Sequence, residues 1–259
     1  MTILATAPNP GFDAPGVEDF QLPPIFDGIT KPVLQFALAA VVVYAFFAWT
    51  ARRPALVPSK GQFLGESFYG IVRNSIARDN IGPEFLKFVP YLTTLFAFIL
   101  VNNLFGIIPL IQFPTFSHPG MAYALAFMSW LIYNVVGIRR HGLLGYLRVS
   151  TWPPGVPWWV RTVLTPIEFL SNIVLRPVTL SLRLFGNMFA GHLLLLVFIL
   201  GGEYMLLHSE SIVLAALSPF AFGLGIVFTF FEAFVQVVQA YIFTILTASY
   251  IGTVLADDH

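Results

Sequence analysis

The sequence predicts an all-α integral membrane protein with about five membrane-crossing helices, an interfacial amphipathic helix, and a last pair of long, strongly tilted helices forming a hairpin. Three observations predict it. Mean hydropathy is +0.80 and only 10% of the residues are charged, far from the composition of soluble domains. Uncharged apolar runs recur that reach or exceed the roughly 20 residues a spanning helix needs. The basic residues gather in two connections instead of being spread evenly along the chain.

Residues 1–30 read as an N-terminal arm on the outside. They carry Asp13, Glu18, Asp19 and Asp27 with several Pro and Gly, and lack the basic start and apolar core of a cleavable signal peptide. Residues 31–259 read as a single membrane domain, whose first span covers about 32–51 and stops at Arg52 and Arg53. Between about 62 and 80, Phe63, Leu64, Phe68, Ile71 and Val72 alternate with Glu66, Tyr69 and Arg73 at helical spacing. That pattern fits an amphipathic helix lying at the interface, or a solvated linker helix.

Spans two and three follow at about 88–108 and 119–138, joined by the Pro-bearing segment 109–119. Next comes T-W-P-P-G-V-P-W-W, whose indoles belong at headgroup level. Two longer apolar stretches remain, about 161–200 and 211–256, separated by G-G-E-Y-M-L-L-H-S-E. A 40-residue helix is about 60 Å long, roughly twice the hydrocarbon thickness, so neither stretch can stand upright. Neither contains a polar loop at which to turn back. Both are therefore expected as tilted helices, with bends near Pro177 and Pro219.

Ten of the thirteen Lys and Arg lie after span one or after span three: Arg52, Arg53, Lys60, Arg73, Arg78 and Lys87, then Arg139, Arg140, Arg148 and Arg161. With five crossings both connections share one side, and the positive-inside rule makes that side cytoplasmic. The N-terminus is then outside and the C-terminus inside.

Several function classes are disfavoured. Thirteen basic and thirteen acidic residues cancel, so net charge predicts no nucleic-acid partner. The absence of Cys excludes a disulfide framework, a thiolate metal site and Cys catalysis. No zinc-type His cluster, phosphate-cradling loop or nucleophile elbow occurs, so neither bond chemistry, nor a metal, nor a cofactor is expected.

The costly residue is Arg183, a cation deep in apolar sequence. An intramembrane ionisable residue costs about 2.5–3.5 kcal/mol on insertion scales and is by default a functional-site hypothesis. Arg176, Thr179, Arg183 and Asn187 share one helical stripe, and Glu232, Gln236 and Gln239 share another in the last helix. With the helices antiparallel and Gln239 level with Arg183, Glu232 and His192 lie about 10 and 13 Å outward. They are thus at similar depth, with Glu203 and Glu210 toward the outer surface. Glu168, Ser171 and Asn172 are candidates for the inner side, where Glu168 is alternatively an interfacial carboxylate.

Imidazole and carboxyl groups exchange protons, whereas a guanidinium stays charged. Arg183 therefore suits a fixed barrier that repels protons and attracts a carboxylate on a moving partner. Structural readings stand beside these: a snorkelling or paired Arg176, an Arg183–Glu232 ion pair, and Asn187 and Gln239 as plain interhelical hydrogen-bonding residues. A self-contained cation channel or secondary transporter is the alternative function, and a structural assembly subunit is another.

S-L-R-L-F-G-N-M-F-A-G-H at 181–192, F-E-A-F-V-Q-V-V-Q-A-Y-I-F-T-I-L-T at 231–247 and V-N-N-L-F-G-I-I-P at 101–109 closely resemble the subunit a family of the F-type ATP synthases. The resemblance implies a stator subunit in which Arg183 faces the carboxylates of a rotating c-ring. It implies that Asn187 and Gln239 are polar neighbours of that arginine and that His192 and Glu232 are the outer half-channel pair. Gln236 and Arg176 are further candidates for the half-channel linings, and the inner carboxylate of the family has Glu168 as its candidate here. It further implies H⁺ rather than Na⁺ as the transported ion, the c-ring and the subunit b stalk as partners, one copy per complex, and a bacterial plasma membrane.

Overall fold

The computed structural model describes residues 14–16, 30–52, 55–108, 114–151, 157–208 and 211–256. The chain is an all-α membrane protein, with no strand among the described residues. Almost all of the N-terminal arm expected at 1–30 lies outside the described residues, as does most of the Pro- and Trp-rich connection.

Four helical stretches are long and apolar enough to cross a membrane: Lys31–Thr50, Pro119–Thr151, Thr162–Leu207 and Ile212–Leu255. The first is α1 (Lys31–Thr50), in which Pro32 sits in the first turn, where a missing N–H costs nothing. Span two is the shorter α4 (Val89–Phe105), whose 17 residues reach about 25 Å.

The interfacial helix consists of α2 (Lys60–Ile71), a π-helical stretch Val72–Ala77 and α3 (Arg78–Ile81). Ser59 caps its start by accepting from the Gln62 backbone N–H. Its buried line is Gly65, Val72, Ile76, Ala77 and Ile81, while Phe63, Leu64 and Ile71 face outward. Its end rests on the end of the last helix, where a Cβ on Gly252 would run into the Asn80 carbonyl oxygen.

The connection after α4 ends in a buried segment. Thr115, Phe116 and Ser117 are buried, the Thr115 hydroxyl donates to Gln35 on α1 at 3.4 Å, and the Phe116 N–H lies 3.1 Å from the Met188 sulfur.

α5 (Pro119–Thr151) also departs from the expected span ending near 138. Gly142, at φ 70° and ψ 168°, reverses the chain inside it, a conformation open to Gly because it lacks a Cβ. The following turn folds back so that the Tyr146 hydroxyl donates to Asn134 Oδ1 at 2.5 Å, its ring against Gly137.

α6 (Trp158–Phe169), a π-helical stretch Leu170–Leu175 and α7 (Arg176–Leu207) run without a break. The irregularity expected at Pro177 is this π stretch. Proline has no N–H and crowds the carbonyl four residues earlier, here that of Ile173. The Trp130 indole N–H supplies the missing donor at 2.9 Å. Pro219, by contrast, lies within a continuous α8 (Ile212–Leu255).

The turn expected over 201–210 is a correction. Helix α7 continues through Leu207, so Gly201, Gly202 and Glu203 are helical. Gly202 is a packing residue: Phe222 and Ala221 of α8 lie 3.3–3.4 Å from where its Cβ would be, and Ser218 donates to its carbonyl at 2.9 Å. Small residues let membrane helices approach this closely. Helix α8, with 44 residues, would be about 66 Å long and must lie strongly tilted.

Gly252→Ala should lower the midpoint of thermal unfolding in detergent micelles. The expected penalty is about 1–3 kcal/mol, because the new methyl meets backbone that cannot rotate away.

Candidate functional site

The polar residues collect along the seam of α7 and α8. Asn187 donates through Nδ2 to Gln239 Oε1 at 2.7 Å. Gln239 therefore lies level with Asn187, one turn (about 6 Å) from Arg183 toward the C-terminal end of α7, and not level with Arg183. The Glu232 carboxyl nonetheless packs against Gly191, 3.3 Å from where a Cβ would sit, beside His192. His192 and Glu232 are both buried, as are Gln236 and Gln239. Gln236 Nε2 donates to Glu232 Oε1 at 3.4 Å, while Glu232 Oε2 accepts from no group among the described residues. The carboxyl thus keeps an open acceptor.

Arg183 has the opposite placement. It is exposed on α7, with Leu182, Thr179 and Ala190 along the same uncovered strip. Among the described residues it forms no ion pair, so an internal bridge to Glu232 is not how its charge is balanced. The Thr179 hydroxyl is satisfied locally by the Leu175 carbonyl.

The start of the α6–α7 helix holds a second polar group. Glu168, Asn172 and Arg176 line a cavity of about 210 Å³ together with Ser150 and Thr253. Asn172 Nδ2 donates to Glu168 Oε2 at 3.1 Å and to the Ser150 carbonyl at 2.5 Å. Arg176 neither pairs nor simply snorkels: its guanidinium carbon lies 4.7 Å from the centroid of the Tyr250 ring. Ser171, half-buried, does not line this cavity. Glu203 is exposed near the C-terminal end of α7, and Glu210 lies outside the described residues.

The geometry also contains residues that sequence reasoning passed over. Asn103 on α4 donates to the Gln236 carbonyl at 2.9 Å, and both it and Asn102 are fully buried. Their signal was present, as an adjacent amide pair in an uncharged span. Tyr250 gave no signal, being one aromatic residue in an apolar helix.

Residues 33–252 match the family model described as "ATP synthase A chain". The chain belongs to that family. Among curated relatives, the ATP synthase subunit a of a Nocardioides species is 51% identical, covering 100% of this chain and 98% of the relative. That of Pseudarthrobacter chlorophenolicus is 47% identical over 96% and 95% of the two chains. The Streptomyces lividans protein of the same name is 36% identical over 96% and 90%. The similarity carried by the short motifs around Arg183 therefore extends over most of the chain.

The Asn187–Gln239 bond can be measured on its own. Replacing Asn187 by Leu strands a buried amide oxygen and should cost about 1–3 kcal/mol. Adding Gln239→Leu should cost less than the sum of the single changes, as read by a double-mutant cycle of thermal unfolding in detergent.

Proposed function

We propose that this chain is the stationary proton-path subunit of a rotary F-type ATP synthase. It would give the carboxylates of a c-ring access to the two sides of the membrane through two half-paths that Arg183 keeps apart. The observation that carries the reading is the position of Arg183, a permanently charged group exposed on an apolar helix face with no ion-pair partner among the described residues. Such a charge is costly in a bilayer unless an anion of a neighbouring protein faces it.

The order of groups along α7 supports the division into two paths. His192, with Glu232 across the seam, lies about 13 Å from Arg183 toward one end, and Arg176 about 10 Å toward the other. Protons enter from the outside by way of Glu203 and the His192–Glu232 pair and load a c-ring carboxylate. After nearly a full rotation they leave through the cavity at Glu168 and Asn172. Arg183 holds the returning carboxylate ionised and repels protons that would pass directly between the paths. Asn187, Gln236 and Gln239 hold the seam that keeps the outer pair in register.

Each charge moved through 100 mV releases about 2.3 kcal/mol. Rotation carries that energy to the nucleotide-binding part of the complex, so this chain alone hydrolyses no ATP. The transported ion is H⁺, no cofactor takes part, and one copy serves each complex beside the c-ring and the subunit b stalk. Family relatives from bacteria support a bacterial plasma membrane. The clustered basic residues support a cytoplasmic C-terminus and an N-terminus outside.

Arg183→Ala in the whole complex should abolish ATP-driven proton pumping in membrane vesicles, and normal pumping would refute the proposal. Gly191→Val tests the outer pair. Its branched side chain has no room beside the Glu232 carboxyl and should slow pumping severalfold while ATP hydrolysis by the detached catalytic sector stays unchanged.

A further inference from the structure

The cavity at the inner end brings a cation and a carboxylate together without joining them. Arg176 and Glu168 both line it, yet among the described residues Arg176 forms no ion pair. Helical side chains lean toward the N-terminus of their helix, and for Arg176 that is the direction of Glu168, eight residues earlier in one continuous helix. The default lean of the guanidinium is thus toward the acid. Instead its carbon lies 4.7 Å from the Tyr250 ring centroid, within cation–π range.

Tyr250 is itself held. Its ring meets Tyr133 edge to face, with centroids 5.6 Å apart, and Tyr133 is almost wholly buried, its hydroxyl donating to the Asn172 carbonyl at 3.3 Å. The side-chain amide of the same Asn172 binds Glu168. The two charged groups thus line one cavity of about 210 Å³ but are held by different partners, Arg176 by the Tyr250 ring and Glu168 by the Asn172 amide.

We propose that Tyr250 is a positioning residue of the inner half-path: its ring face holds the Arg176 guanidinium away from Glu168, so that the carboxylate stays open to exchange protons. Without the ring, Arg176 closes onto Glu168 and the resulting ion pair blocks the exit. The inference rests on the proposed function of the cavity.

The test uses the whole complex in inverted membrane vesicles, with ATP-driven proton pumping normalised to assembled complex. Tyr250→Leu should lower pumping by about fivefold to tenfold, the size of a half-buried cation–π contact, while Tyr250→Phe stays within about twofold of the native chain. Tyr250→Met, flexible enough to refill the space but lacking a π face, should behave like the leucine variant and guards against a simple packing defect. Arg176→Gln alone should cost less than about threefold, and the Tyr250→Leu/Arg176→Gln pair should pump as well as Arg176→Gln, because nothing is left to hold off. Normal pumping by Tyr250→Leu, failure of Arg176→Gln to rescue it, or a larger loss from Arg176→Gln alone would overturn the proposal. Glu168→Gln separates the two levels. If it impairs pumping while Tyr250→Leu does not, only the role of Tyr250 falls; if it leaves pumping normal, the inner path through this cavity falls, and the role of Tyr250 with it.

Discussion

A bond from the half-buried Asn187 amide to the buried Gln239 amide of the next helix, at 2.7 Å, sets the register on which the other polar contacts of the seam depend. Apolar faces in a bilayer select register weakly, since lipid tails match them as well as leucine does. Buried polar groups select it strongly, because an unmet donor or acceptor has no water to turn to. With Asn187 opposite Gln239, the Glu232 carboxyl comes to Gly191, and Ser218 reaches the Gly202 carbonyl further out. A step of one residue would turn either helix by about 100° and take these groups off the seam. The glycines matter as absences of side chain, where the helices come closest.

The same constraint acts differently at the inner end. There Pro177 removes a backbone donor, and the helix answers with a π turn whose loosened Ile173 carbonyl is taken up by Trp130 of α5. The neighbouring Asn172 bridges Glu168 to the Ser150 carbonyl, which arrives only because Gly142 folds the end of α5 back on itself. Repairing a proline thus ties α5 to the start of α7, and the tie forms one wall of the inner cavity. The result is a polar axis along α7 with a buried acid and imidazole toward its C-terminal end, an open cavity at its N-terminal end, and an exposed cation between.

Much of this was legible before any tertiary contact. The stripe of Arg176, Thr179, Arg183 and Asn187 and the stripe of Glu232, Gln236 and Gln239 followed from helical periodicity. Other features were misread or unseen for identifiable reasons. The run G-G-E looked like a turn because glycine disfavours soluble helices and a carboxylate interrupts an apolar span, whereas here Gly202 serves close packing inside α7. The segment after α4 read only as a Pro-bearing joint between two spans, yet Thr115 and Ser117 are buried, their hydroxyls engaged by Gln35 and the Pro114 carbonyl. Tyr250 was invisible because an aromatic residue among apolar ones reads as packing until a guanidinium is found on its face.

By itself the sequence determined the all-α membrane class, the long final pair of helices, and which polar residues share a stripe. These depend on local quantities: the pitch of the helix, the apolar length needed to cross a bilayer, and the cost of an isolated charge. Only the tertiary structure decided that Glu232 turns inward beside His192 while Arg183 turns outward, and that Arg176 meets an aromatic ring and not a carboxylate. Helical periodicity says which residues face together, but the direction they face is set by packing between helices distant in the chain, where amides, glycines and one reversed turn select a single register among many apolar ones.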